Sequence, residues 1–134
     1  MEYIDKIARD KNRDVLFLLF KDTSDEPDPF NYENFKHRNE AVEWLTNNNI
    51  PFYPCSGVAN ENSMGEFYNG NLYIDVPYDE TDLLFLKLSG YLEHNDGSQK
   101  VNGIIFGYYP LELAMKNKHH DEPDFWDNLY KGDW

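Results

Sequence analysis

Between Asp14 and Lys21 the chain reads VLFLLF, six apolar residues without a polar break. A strand with one wet face alternates apolar and polar side chains, so a continuous run bounded by charges reads as a buried central strand. The rest of the fold has to be arranged around it. Before it, Ile4, Ile7 and Ala8 sit at helical spacing and predict a short helix within residues 1–13. After it, Phe35, Ala41, Val42 and Leu45 recur at helical spacing, with Trp44 alongside, until the run NNN ends the pattern. IPFYPCS, residues 50–56, is a strand that Pro51 and Pro54 push towards a sheet edge.

Asn69-Gly70 lies between two β-rich runs and predicts a hairpin, with an extra strand at residues 65–68. Leu72, Ile74 and Val76 then alternate with Tyr73 and Asp75, as a half-buried strand should. Asp79 and Asp82 mark a helix start, where the helix dipole favours acids. LLFLKLSGYLE continues that helix; it is apolar on most sides and is expected to be well covered. VNGIIFGYY is a last strand, and Pro110 opens a short helix through LELAMKN. A terminal helix starts around Pro123, with Phe125, Trp126, Leu129 and Tyr130 on one face.

Without its ends this order is β-α-β-β-α-β, the pattern of a ferredoxin-like α+β fold: an antiparallel sheet with two helices on one face. The 134 residues form one domain, with an N-terminal helix in 1–13, a core in 14–110 and a helical, acidic-aromatic tail in 111–134. A chain of this length buries roughly two-thirds of its unfolded surface. In such a sheet the first and third strands are expected to be parallel central neighbours. The segments that follow them, 22–35 and 75–82, would then leave from one end and share a rim.

That rim matters because of where the charge lies. The formal net charge is −13, and residues 22–35, 75–82 and 121–134 carry −5, −4 and −4 of it, so the remainder is neutral. The phrase DEPD even occurs twice, at 25–28 and 121–124, each time followed by large aromatics. Local acidity of this density repels phosphate backbones and anionic lipid, which argues against nucleic-acid and membrane partners. It favours encounter with a basic protein. The expected contact residues are Asp22, Asp25, Glu26, Asp28, Phe30, Tyr32 and Glu33 in the first segment, and Asp75, Asp79, Glu80 and Asp82 in the second. In the tail they are Asp121, Glu122, Asp124, Trp126, Asp127, Tyr130 and Trp134, with the tail open between a staple on the domain and a contact for the partner.

Catalytic and metal patterns are weak. Cys55, flanked by an apolar stretch, reads as a buried structural cysteine rather than a nucleophile. His119, His120, Asp121 and Glu122 are consecutive and lack the further spaced ligand that a tetrahedral site needs, so neither a metal nor another cofactor is expected. The charged N-terminus has no apolar signal-peptide core and no run approaches a membrane span, so a cytoplasmic location is the default. The pattern therefore predicts a bacterial inhibitor that neutralises a basic partner, an immunity protein or antitoxin blocking a nuclease toxin. The alternative is a DNA mimic that inhibits a restriction or CRISPR enzyme, and a small enzyme or ligand-binding domain ranks below both.

Overall fold

A computed structural model describes residues 2–21, 31–59, 68 and 70–127. Its elements are α1 (Ile4–Lys11), β1 (Val15–Phe20), a 3₁₀ turn (Tyr32–Asn34), α2 (Lys36–Asn47), β2 (Phe52–Pro54), β3 (Leu72–Ile74), α3 (Leu83–Leu92), β4 (Ile104–Tyr109) and α4 (Leu111–Ala114), which runs on into a 3₁₀ stretch (Met115–Asp121). The strands form one antiparallel sheet in the order β2-β3-β1-β4. VLFLLF is central, as its composition requires.

Alternation along β1 divides the molecule into two apolar layers. Leu16, Leu18 and Phe20 face one way and pack with Ala41 and Leu45 of α2 and Phe85, Leu88 and Leu92 of α3. Trp44 and Tyr91 stack at 4.1 Å and tie those two helices together. Val15 and Phe17 face the other way and pack with Ile4, Ile7 and Ala8 of α1, Cys55, Tyr73 and Ala114. The two crossover helices thus share a face, while the terminal helices cover the opposite one. Cutting a fully buried leucine such as Leu16, Leu45 or Leu88 to alanine costs about 2–5 kcal/mol in a core of this kind.

The second layer is closed by a buried charge. Asp5 is 0% exposed, and its carboxylate accepts from Arg9 Nη1 at 3.0 Å, from Asn117 Nδ2 at 3.0 Å and from the Ala59 N–H at 3.0 Å. Arg9 also donates to the Ala114 carbonyl at 3.0 Å and reaches Asp121 with Nε at 2.7 Å and Nη2 at 2.8 Å. One ion-pair network therefore joins α1, the segment after β2 and the segment after α4. A buried charge is tolerated when its partner and its remaining lone pairs are satisfied, and both conditions hold at Asp5.

Three sequence expectations need correction. β1 and β3 are neighbours but run antiparallel, with Leu16 opposite Ile74 and Leu18 opposite Leu72. The crossover through α2 returns β2 parallel to β1, so a β3 inserted between them and antiparallel to β2 must oppose β1 as well. The chain therefore leaves β1 and β3 at opposite ends of the sheet, so residues 31–35 do not share a rim with 75–82, while residues 22–30 of the expected rim lie outside the described residues. The helix LLFLKLSGYL is not well covered, because Leu83 is 81% and Leu86 49% exposed. Finally, Tyr68 is not in a strand, while the rest of the expected extra strand, 65–67, lies outside the described residues.

Candidate protein-binding surface

The surface is built on the approach to α3. Asp82 is the N-cap, its Oδ1 accepting the Phe85 N–H at 3.0 Å. Three residues earlier, Asp79 Oδ1 accepts the Thr81 N–H at 2.8 Å and the Thr81 hydroxyl at 2.7 Å. The Thr81 bonds hold the Asp79 carboxyl below the ordinary aspartate value of 3.8. Both acids thus shape the turn into α3, and that accounts for their position. It leaves their charge uncompensated: Asp79, Glu80 and Asp82 form no ion pair among the described residues, whereas seven such pairs occur elsewhere. Residues 78–93 hold four acids against Lys87 alone.

Apolar side chains adjoin these acids. Tyr78 and Tyr108 are each 47% exposed, and their rings meet edge-on at 4.5 Å. Tyr78 also lies 5.3 Å from Phe85, which lies 6.4 Å from Phe106. A shallow cavity of about 370 Å³ opens here, lined by Tyr78, Phe85, Glu93, Phe106, Gly107 and Tyr108. Leu83 and Leu86 are exposed on the outer side of α3, so exposed aromatic and aliphatic side chains both lie close in sequence to carboxylates that form no ion pair among the described residues. Large exposed apolar surface next to charge marks interaction sites more often than scattered leucines do.

The other expected contact residues have different places. Asp75 is half-buried and internally paired: Arg13 Nη2 lies at 2.8 Å, the Tyr73 hydroxyl at 2.7 Å and Lys11 Nζ at 3.8 Å. Burial, with the Asp75 bond adding to it, pushes the Tyr73 hydroxyl up to about 12. Asp121 is bound by Arg9, whose hydrogen bonds hold its carboxyl below 3.8. Tyr32 and Glu33 lie at the far end of the sheet from Asp75. There Arg38 covers the Tyr32 ring at 4.8 Å, and Tyr32 presses so closely on Gly70 that a Cβ there would sit 2.6 Å from the Tyr32 Cβ.

The described part of the tail folds back on α1. Trp126 stacks on Tyr3 at 5.9 Å and meets His120 at 4.7 Å, while Glu122, Asp124 and Asp127 stay exposed. Asp22, Asp25, Glu26, Asp28, Phe30, Tyr130 and Trp134 lie outside the described residues. The structure thus gathers Asp79, Glu80 and Asp82 with Tyr78, Leu83, Leu86 and Tyr108, and the last four were missed by sequence reasoning. For Leu83 and Leu86 the signal was present in LLFLKL, a helix apolar on more sides than its neighbours can cover; for Tyr78 and Tyr108 no local signal was present.

Chemical alternatives find little support. Burial pushes the Cys55 thiol up to about 12, far from a thiolate. No group of three or more His, Cys, Asp or Glu able to hold a metal occurs among the described residues. A second cavity, about 430 Å³ beside α1, contains Lys6 and Arg9, but both cations are already bonded to Asp10 and Asp121. No helix among the described residues is long and apolar enough to cross a membrane. Comparison found no matching family model, no matching curated protein and no matching solved structure, so any function has to be argued from this surface itself.

Proposed function

We propose that the protein is a binding inhibitor of a basic partner, an immunity protein or antitoxin that blocks a nuclease toxin in the cytoplasm. The observation that carries the reading is the surface itself: Leu83, Leu86, Tyr78 and Tyr108 exposed near Asp79 and Glu80, which form no ion pair among the described residues. A nuclease cleft is cationic because it holds phosphates. Carboxylates at the α3 start would occupy those cations, while the leucines and tyrosines exclude water around them. A DNA mimic presents charge along a face rather than leucines at its centre, so the apolar patch favours the toxin inhibitor. The β-α-β-β-α-β order with β1 and β3 central supports a ferredoxin-like scaffold.

The test is to express the proteins encoded immediately upstream and downstream of this one, assay each for nuclease activity, and titrate any nuclease found with this protein at low and high salt. Stoichiometric inhibition is expected, with an association rate that falls about tenfold or more as salt rises. Absent inhibition, or association indifferent to salt, rules the reading out.

A further inference from the structure

We propose that the free edge of β4 and the cavity beside α3 receive an extended, basic segment of the partner as an added strand. This rests on the function proposed above and names how the surface is used. Ladder geometry carries it. The Lys21 N–H donates to the Gly103 carbonyl at 2.9 Å, and Lys21 and Gly103 continue the register in which Phe20 opposes Ile104. Hydrogen-bonded pairs alternate along an antiparallel ladder, so Ile105, Gly107 and Tyr109 are bonded to β1. The peptide groups of Ile104, Phe106 and Tyr108 therefore point away from the sheet. Ile104 N–H is taken by the Val101 carbonyl at 3.2 Å; the N–H groups of Phe106 and Tyr108 meet no acceptor among the described residues.

Exposed edges are normally blunted by prolines, charges or short length. IIFGYY contains no proline and no charge, and it is as long as β1. An added strand would alternate its side chains. One set would enter the cavity between Tyr108 and Phe85, where Glu93 lines the wall and Asp79 and Glu80 stand beyond Tyr78. Three acids that form no ion pair among the described residues, next to open donors and acceptors, select a basic chain over an acidic one, and over a second copy of this protein, whose own β4 is uncharged.

The probe is a blocked ten-residue peptide of alternating lysine and valine, compared with the same peptide N-methylated throughout its backbone, which keeps every charge and side chain but no backbone N–H donor. The parent is expected to bind about tenfold tighter or better than the methylated form, since several ladder hydrogen bonds are lost with methylation. It should also slow amide exchange at Phe106 and Tyr108. Equal affinities would overturn strand addition; if Asp79→Asn with Glu80→Gln then weakened both peptides, the acidic-surface reading would stand alone. Absence of binding by either peptide overturns the inference and leaves the nuclease assay to judge the function. Concentration-dependent self-association that protects the same two amides would assign the edge to a second copy and overturn it too.

Discussion

At the β2 margin of the sheet the outward peptide groups belong to Phe52 and Pro54; at the β4 margin they belong to Ile104, Phe106 and Tyr108. The first assignment follows from the bonds that flank β2, Asp75 N–H to Pro51 O at 2.9 Å and Cys55 N–H to Asn71 O at 3.1 Å, which place Tyr53 opposite Tyr73 as the bonded pair. Pro54 has no donor, β2 is three residues long, and the chain just beyond it is held by the N-terminal segment, where Ser56 N–H donates to Glu2 O at 2.8 Å. Nearby, Asp5, Asp75 and Asp121 are all engaged by arginines of the same chain. β4 contains no proline and is six residues long, and Asp79, Glu80 and Asp82 beside it form no ion pair among the described residues. Equal residue types therefore serve two ends: where carboxylates meet arginine they hold the fold, and where they meet none they are available to another molecule.

The comparison breaks most sharply at Arg9. Arg9→Met leaves Asp5 buried without its cation and should cost about 3–5 kcal/mol in chemical denaturation, with partner affinity of the folded protein unchanged. A small loss of stability, or a large loss of binding, would mean that the closed side is not merely structural. On the open side the pattern should invert. Leu83→Ala with Leu86→Ala should cost no more than about 1 kcal/mol of stability, because Leu83 is mostly exposed and Leu86 about half exposed. Partner affinity should fall by about 1–3 kcal/mol in titration calorimetry. Asp79→Asn with Glu80→Gln should slow association about tenfold at low salt in stopped-flow and have little effect at high salt.

Acid offers a finer cut. The Arg9 hydrogen bonds hold the Asp121 carboxyl below 3.8, so the stability from this pair is complete above that value and is lost as pH falls through the lower, folded value. Because Asp121 is partly exposed, the loss should stay under about 1 kcal/mol. Asp121→Asn should remove this part of the acid limb, and an unchanged limb in that variant would place the titration elsewhere. The smallest effect should come from Pro54→Val. It restores an outward donor at β2 and should alter stability by no more than about 0.5 kcal/mol. Any increase in self-association on sedimentation would show that the proline alone blunts that edge.

How much of this was legible depended on range. VLFLLF announced a central strand because no one-sided environment accepts it, and Pro51 and Pro54 announced an edge. Asp82 announced a helix start because capping is decided within three residues. Strand direction was not local: β3 opposes β1 because of where β2 returns, and no residue of LYI records that. The pairing of Asp75 with Arg13, or of Asp121 with Arg9, joins residues far apart in the chain, so acids counted as free by composition turn out to be bound. The exposure of α3 was hidden for a related reason. Sequence reports that LLFLKL is apolar, but whether anything lies over Leu83 and Leu86 is a property of the whole fold.

The central claim is that the open side, and not the closed one, meets the partner. Hydrogen exchange of the protein free and saturated with the proposed nuclease partner tests this most directly. Slowed exchange is expected at residues 78–86 and at Phe106 and Tyr108, with Phe52–Pro54 and α1 unchanged. Protection confined to β2, α1 or residues 115–127 would contradict it.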